Sequence, residues 1–554
     1  MESVMISRNF VSQQKKDVIA LAFCIFLFFI LCSVAYAAKV PELPRTYIDT
    51  TFSLPTGGTT HTVNAGGNFQ TALNNAQLGD VIILQAGATF TGNFTLPNKT
   101  TGSGWIYIIS SAYESLPQPG TRVSPSDVSN MPTISLPYGN DGRGIITEKG
   151  AHHYRFVGIH IRPTDAVRSM WYLMFLGGET ANYSNNIIID RCFLAGHMKT
   201  GKGVKLDVAY GAVIDSHFDN FYGGDSNTIW ATQTPGPLKI VNNFLGSSSI
   251  NIFFGGSNHA SDDLTPSDIE IRWNHFYKSL DWKGVYAVKN HIESKHSRRV
   301  LVEGNIFENM WASAQYHSVM LKSENQGPGY GSPFSQTAHW TIRFNKFINV
   351  DNWVNLSRAY TQSTAMEYLH FHDNLILFNP NGGWHQNGFQ ISPPDHLIIE
   401  NNTMFPPRRD IMFVGSTTKG SHLTVRNNLF CGTSISHADG GGFGESALNT
   451  SYPGSYVFTH NVLVAPNAGT YPSGNYLPNN IGIVKFINYT GNQFGNYRLA
   501  NDSPYKNAGT DGRDIGADID AILGAIAGTC TGMDCLPPPS PAVSTPTGLT
   551  IIVK

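Results

Sequence analysis

The chain has 554 residues, with 37 Lys and Arg against 39 Asp and Glu and a formal net charge of −2. That balance excludes the basic excess expected of a nucleic-acid binder. Charged residues make up only 14%, whereas glycine is abundant (55) and 12% of residues are aromatic, which suits a turn-rich β protein with a sugar-facing surface.

In chain order, residues 1–38 read as a secretory signal. Lys15 and Lys16 form its charged start, Val18 to Leu31 its apolar run, and Ala35-Tyr36-Ala37 a small-x-small cleavage site. The apolar run is shorter than the roughly 20 residues of a membrane span, the alternative being an uncleaved anchor. The mature chain is thus expected to be secreted, periplasmic or cell-surface, with no membrane span and no nucleic-acid partner. Residues 39–59 form an N-terminal extension. Phe69, Ala72, Leu73 and Ala76 fit a 3.6 period and predict a short helix over 68–76, followed by a strand in Gly79-Asp80-Val81-Ile82-Ile83-Leu84.

From residue 60 to residue 528 one phrase recurs, an apolar–x–apolar strand followed by Asn–x–Phe. It reads Val241-Asn242-Asn243-Phe244, Ile271-Arg272-Trp273-Asn274-His275-Phe276, Val302-Glu303-Gly304-Asn305-Ile306-Phe307 and Ile342-Arg343-Phe344-Asn345-Lys346-Phe347. Further copies carry Asn374, Asn402, Asn428 and Asn461, and two earlier ones, at Phe193 and Phe218, lack the Asn. A 25- to 40-residue spacing marks a stack of repeats with inserts in the loops. The short β-branched runs predict buried parallel strands. The recurring Asn is expected at a tight bend, in a left-handed conformation and bonded to the Asn above, with the Phe stacking inside the coil. These phrases predict an all-β fold, a parallel β-helix with an Asn ladder.

Cys192 and Cys431 fall on inward strand positions and read as buried hydrophobes. Cys530 and Cys535 are close enough to close a small loop. Residues 529–554 form a Pro-rich tail through Pro537-Pro538-Pro539-Ser540-Pro541. There is no CxxC or HExxH pattern.

The short helix leading into Gly79-Asp80-Val81-Ile82-Ile83-Leu84, the segment Gly92-Asn93-Phe94-Thr95-Leu96-Pro97 and the ending Tyr497-Arg498-Leu499 resemble the pectin-lyase-like right-handed parallel β-helix superfamily. The resemblance covers roughly residues 60 to 520. It implies a right-handed coil whose N-terminal end is capped by the helix, and a polysaccharide groove along the strands one step upstream of each ladder Asn. On that face the richest segment is Val288 to Arg299. With Ile292 in the core, alternation turns His291, Glu293 and Lys295 outward. Neighbouring turns offer Lys205 and Asp207, then Thr228, Trp230 and Asn251, then Met320, Lys322 and Glu324.

This mixture suits β-elimination on a uronate polysaccharide, which needs a base and positive charge for the enolate-like anion. Lys295 is the first candidate base, its pKa lowered by Lys289, Arg298 and Arg299; Lys289 is the second, and Arg298 would neutralise the anion. His291, Trp230, Lys322 and Lys205 would bind the sugar chain. Glu293, with Asp207 or Glu324, would hold a Ca²⁺ paired with a substrate carboxylate. The superfamily's Asn-Thr-Asp and Arg-x-Pro-x-x-Arg phrases are absent, and Pro394-Asp395-His396 is not the Asp-Pro-His of its epimerases. Lys289-Asn290 and Lys295 resemble the lysine–arginine sites of the chondroitinase-B and alginate-lyase branch, at a different spacing. Two alternatives stand beside the lyase: a non-catalytic glycan-binding or adhesin-like envelope protein, and a glycoside hydrolase with paired carboxylates. The loop Trp384-His385-Gln386-Asn387 is a candidate binding edge, and Asp262-Asp263 reads as a solvated insert.

Overall fold

The computed structural model describes residues 38–529 apart from 165–167, 178–183, 258–260, 325–332, 358–363, 383–385, 406–407, 416–418, 433 and 467–468. The signal segment up to residue 37, the Cys530–Cys535 loop, the Pro-rich tail and Trp384-His385 lie outside the described residues. Among those described, parallel strands stack into three sheets of 14, 12 and 13 strands. Each turn gives one strand to each sheet. Ile292–Ser294 belongs to the second sheet, Ser297–Glu303 to the first and Ile306–Met310 to the third. With the right-handed crossover that parallel strands adopt, the coil is a right-handed parallel β-helix.

One residue set per strand fills the bore. Val300 and Val302 enter a continuous core with Ile292, Phe307 and their equivalents in other turns. Phe276, Phe307 and Phe347 stack at 4.4 Å between successive ring centroids. The inward residue at two repeat anchors is one position later than the phrase suggests. Leu194 and Leu245, not Phe193 and Phe244, pair with Phe218 in the register that places Phe276 inside.

The asparagines form an unbroken ladder. Side-chain amide to side-chain carbonyl bonds link Asn243, Asn274, Asn305, Asn345, Asn374, Asn402, Asn428, Asn461 and Asn475 at 2.9–3.1 Å. The left-handed residue is the one before each ladder Asn, as at Trp273, Phe344 and Asp373. The bend needs a positive φ at that preceding position, and the Asn satisfies the amides it exposes. Earlier turns substitute other groups. The Ser216 amide donates to Asn243 Oδ1 (3.0 Å), and the Cys192 amide donates to Ser216 Oγ (3.0 Å).

A helix spans Phe69–Asn75, with the Asn68 side chain accepting from the Thr71 amide at 3.0 Å. Phe69 packs 4.8 Å from Phe94 at the N-terminal end of the core. The coil's last strands are Tyr456–Thr459 and Val462–Leu463. The remainder folds outside it: Tyr497, Leu499, Ile515 and Ile522 pack on Leu375, Phe405 and Leu429 of the third sheet. The stretch expected as one β-helix domain, 60–528, therefore holds the coil and a C-terminal segment packed on its third sheet. Cys192 is buried in the bore, where burial pushes its thiol up to about 12. Cys431 differs from expectation, packing outside the bore beneath the C-terminal segment.

From Ala38, the last residue expected in the signal, into the N-terminal extension, the chain lies as a strap along the outer face of the first sheet. The amides of Ala38, Lys39, Glu42 and Arg45 donate in turn to Thr424 Oγ1, His396 Nδ1, His339 Nδ1 and Asp268 Oδ1 at 2.8–3.2 Å. Farther down, Arg155 donates to the carbonyls of Thr50 and Thr51. Among the described residues no helix is long and apolar enough to cross a membrane.

Candidate functional site

Outward residues of the second sheet align in one row: Phe175, Lys205, Trp230, Phe253, Glu293 and Met320. The row opens into a cleft of about 230 Å³ whose lining includes Lys202, Asp225, Trp230, Lys289, Glu293 and Lys295.

Lys295 lies just past the strand Ile292–Ser294, and its side chain is 5% exposed. Its Nζ is 4.0 Å from Glu293 Oε1 and 3.8 Å from Glu324 Oε1, ion pairs beyond hydrogen-bond length. Burial lowers the Lys295 pKa from its ordinary 10.5; the two glutamates oppose the shift, and Lys322 and Lys289 add to it. The expected cause was crowding by Arg298 and Arg299, and this is corrected. Arg298 is bound in bidentate fashion to Asp262 at 2.7 and 2.5 Å, and Arg299 to Asp268 at 2.7 and 3.0 Å, both on the first-sheet side. Arg298 thus does not line the cleft.

Glu293 is held by Asn290, whose Nδ2 donates to it at 2.9 Å and to Gln315 Oε1 at 2.6 Å. At the mouth, Lys289 pairs with the exposed Asp225 carboxylate at 2.6 Å, which holds that carboxyl below its ordinary range. Lys202 donates to the Asp225 carbonyl at 3.1 Å, and burial lowers its pKa. Trp230 is nearly parallel to Tyr172 (9°) and Phe253 (14°), and its Nε1 donates to the Gly255 carbonyl. Lys202 Nζ is 5.3 Å from the Trp230 ring centroid and Lys295 Nζ 5.7 Å from that of Phe253.

Expectations for five further residues change. His291 is fully buried, stands 5.6 Å from the Phe307 ring and loses its charge to desolvation, its pKa lying well below 6.5. Thr228 and Asn251 are likewise buried. Strand alternation fails there because two consecutive residues turn inward where each second-sheet strand begins: Thr228 with Ile229, Asn251 with Ile252, His291 with Ile292. Lys205 keeps its outward place in the row but is 5% exposed, its charge paired with Asp207 at 2.9 Å and packed against the Phe175 ring, so it is not free to meet a sugar. Lys322 pairs with Glu324 at 3.4 Å beside the cleft.

Asp207 cannot share a Ca²⁺ with Glu293 and Glu324. It is three rungs away, about 14 Å at the usual strand spacing. Its oxygens already accept from the Thr232 amide and hydroxyl and the Gln233 amide. Among the described residues no group of three His, Cys, Asp or Glu side chains is placed to hold a metal ion.

Sequence reading missed Lys202 and Asp225 of the cleft, and away from it the buried Lys278. Lys202 was hidden by Gly203, where an added Cβ would meet the Thr228 carbonyl at 2.6 Å and which takes the extra inward place in its strand. Lys278 is fully buried and donates to the carbonyls of Ser247, Ser248 and Ser249 and to Asn251 Oδ1 at 2.8–3.1 Å. No local pattern announces it.

No known family model matches the chain, and no curated protein matches it. Among solved structures it aligns with AlyGC, a PL6 family alginate lyase, at 13% identity over 88% of this chain and 60% of that one, with TM-score 0.45. The chain thus spans 60% of the length of AlyGC. It aligns with the pectate lyase Pel9A at 12% identity over 83% of this chain and 96% of that one, TM-score 0.33. PfbA, a surface adhesin of Streptococcus pneumoniae, aligns at 14% identity over 67% and 88%, TM-score 0.46.

Proposed function

We propose that the protein is exported, binds an acidic polysaccharide along the outer face of the second sheet and cleaves it by β-elimination, with Lys295 as base. The observation that carries this reading is a lysine amine on the cleft floor whose charged form is disfavoured by burial and whose two carboxylate neighbours stand too far for hydrogen bonds. A neutral amine there takes the proton from the carbon beside the uronate carboxylate. The electron pair delocalises into that carboxylate, then forms the C=C bond as the C–O bond to the next sugar breaks. The departing oxygen takes a proton, so one polymer gives two chains and no water is consumed. Lys289 and Lys202 replace Arg298 as the cations facing the developing anion. The Asp225 carboxylate occupies Lys289 in the free protein and is exposed, so a substrate carboxylate can exchange with it.

A second reading, hydrolysis, is favoured by Glu293 and Glu324. Their distances to Lys295 Nζ bound the gap between those oxygens at 7.8 Å, the sum of 4.0 and 3.8 Å, compatible with paired-carboxylate hydrolases at about 5–9.5 Å. The test is ultraviolet absorbance and reducing-end release on pectate, alginate and chondroitin sulfate. Absorbance rising with reducing ends is the expected result. Reducing ends alone mean hydrolysis, and binding with neither means a glycan-retaining protein.

A further inference from the structure

We propose, building on that reading, that the cleft is one end of a longer trough and that the acidic chain lies on the arm running from Lys295 back toward Arg143. Two rows carry this arm. In the first, Arg143, Tyr172, Lys202 and Asn227 are in register on successive rungs; in the second, Phe175, Lys205, Trp230, Phe253 and Glu293. Five rung steps separate the Arg143 strand from that of Glu293, about 24 Å at the usual spacing, a length that accommodates several sugar residues.

Cations punctuate that length. The Arg143 guanidinium lies 4.4 Å over the Phe175 ring, Lys202 follows beside Trp230, and Lys289 and Lys295 close the arm. Each cation is set against an aromatic ring or at the cleft mouth, so charge for carboxylates alternates with apolar surface for ring faces. Beyond Lys295 the second row changes character. It continues as Met320, Asn355, Gln390 and Met412, none of which is charged. Past Lys295, Lys322 is paired with Glu324 at 3.4 Å and Arg409 stands four rungs away, so cations are denser on the Arg143 side. The scissile bond therefore sits near the end of the bound uronate run.

The test is calorimetry of the Lys295→Ala protein with oligogalacturonates, oligomannuronates and chondroitin oligosaccharides, from dimers to heptamers. On at least one series affinity is expected to climb with length. Arg143→Ala is expected to weaken the heptamer about 10-fold while leaving the dimer unchanged, and Gln390→Ala and Met412→Ala to alter neither. Length dependence that disappears in Gln390→Ala or Met412→Ala instead overturns the proposal, as does an equal loss for dimer and heptamer. Cleavage by the unsubstituted protein without this length pattern overturns the arm alone. The length pattern without any new C=C overturns the cleavage reading alone. No binding of any series overturns both.

Discussion

Two outer faces of the same coil have opposite fates. On the first sheet, left-handed positions carry His339, Tyr368, His396 and His422, whose rings stack at 4.3–4.7 Å, and the strap from residue 38 lays its amides against that stack. On the second sheet the outward row ends in a cleft lined by lysines, a glutamate and an indole. The strands are alike, and what differs is which polar groups the chain satisfies from within. The strap answers His339 and His396, whereas Lys295 is left at the limit of its carboxylate neighbours. The face that leaves its charge underused is the one suited to a ligand.

The sharpest way to break this contrast is Lys295→Ala. Removing a general base is expected to cost about 10²–10⁴-fold in kcat with the melting temperature little changed. The pH profile sharpens it. With the neutral amine as the proposed base, kcat/KM should rise with pH through the Lys295 pKa, which burial places below 10.5, and the rise should vanish in Lys295→Ala.

Next comes the ladder, which both faces share. Asn305→Ala removes the acceptor of the Asn274 amide and the donor to the Ile271 and Glu303 carbonyls, all buried. Each unsatisfied group costs about 1–3 kcal/mol, so thermal unfolding should shift by several degrees without changing the cleft's own chemistry.

The smallest effect belongs to the strap. His339→Phe with His396→Phe keeps the ring stack and deletes two acceptors, at about 0.5–1.5 kcal/mol each, and proteolysis near residues 38–45 should quicken. Protonation does the same reversibly. Both imidazoles accept at Nδ1 only when neutral, and desolvation lowers both pKa values. Below about pH 6.5 the unfolded chain binds protons that the folded strap refuses, so its hold is full above that pH and weakens as pH falls. Amide exchange of Lys39 and Glu42 across that range checks the sign.

Much of the fold was legible because the ladder writes itself into the sequence. Asn274, Asn305 and Asn345 each need the same side chain to answer the same exposed amides. The left-handed residue was assigned one place too late because Trp273 or Phe344 carries no local sign of a positive φ. In the site, Lys295, Glu293 and Trp230 were reached from alternation and Lys289 from its charge beside them, whereas His291 and Asn251 were misread where alternation breaks at the corner. Arg298 and Asp207 failed for a different reason. Their partners Asp262 and Thr232 come from 36 and 25 residues away, and only the coil brings them near.

The central claim, that the second sheet's outer face is the glycan site, is tested most directly by hydroxyl-radical footprinting of Lys295→Ala with saturating acidic polysaccharide. Protection of Trp230, Tyr172 and Phe253, with Tyr47 and Tyr368 on the strap face unchanged, is the predicted result. Protection confined to the strap face, or none at the Trp230 row with polymer bound, would contradict it.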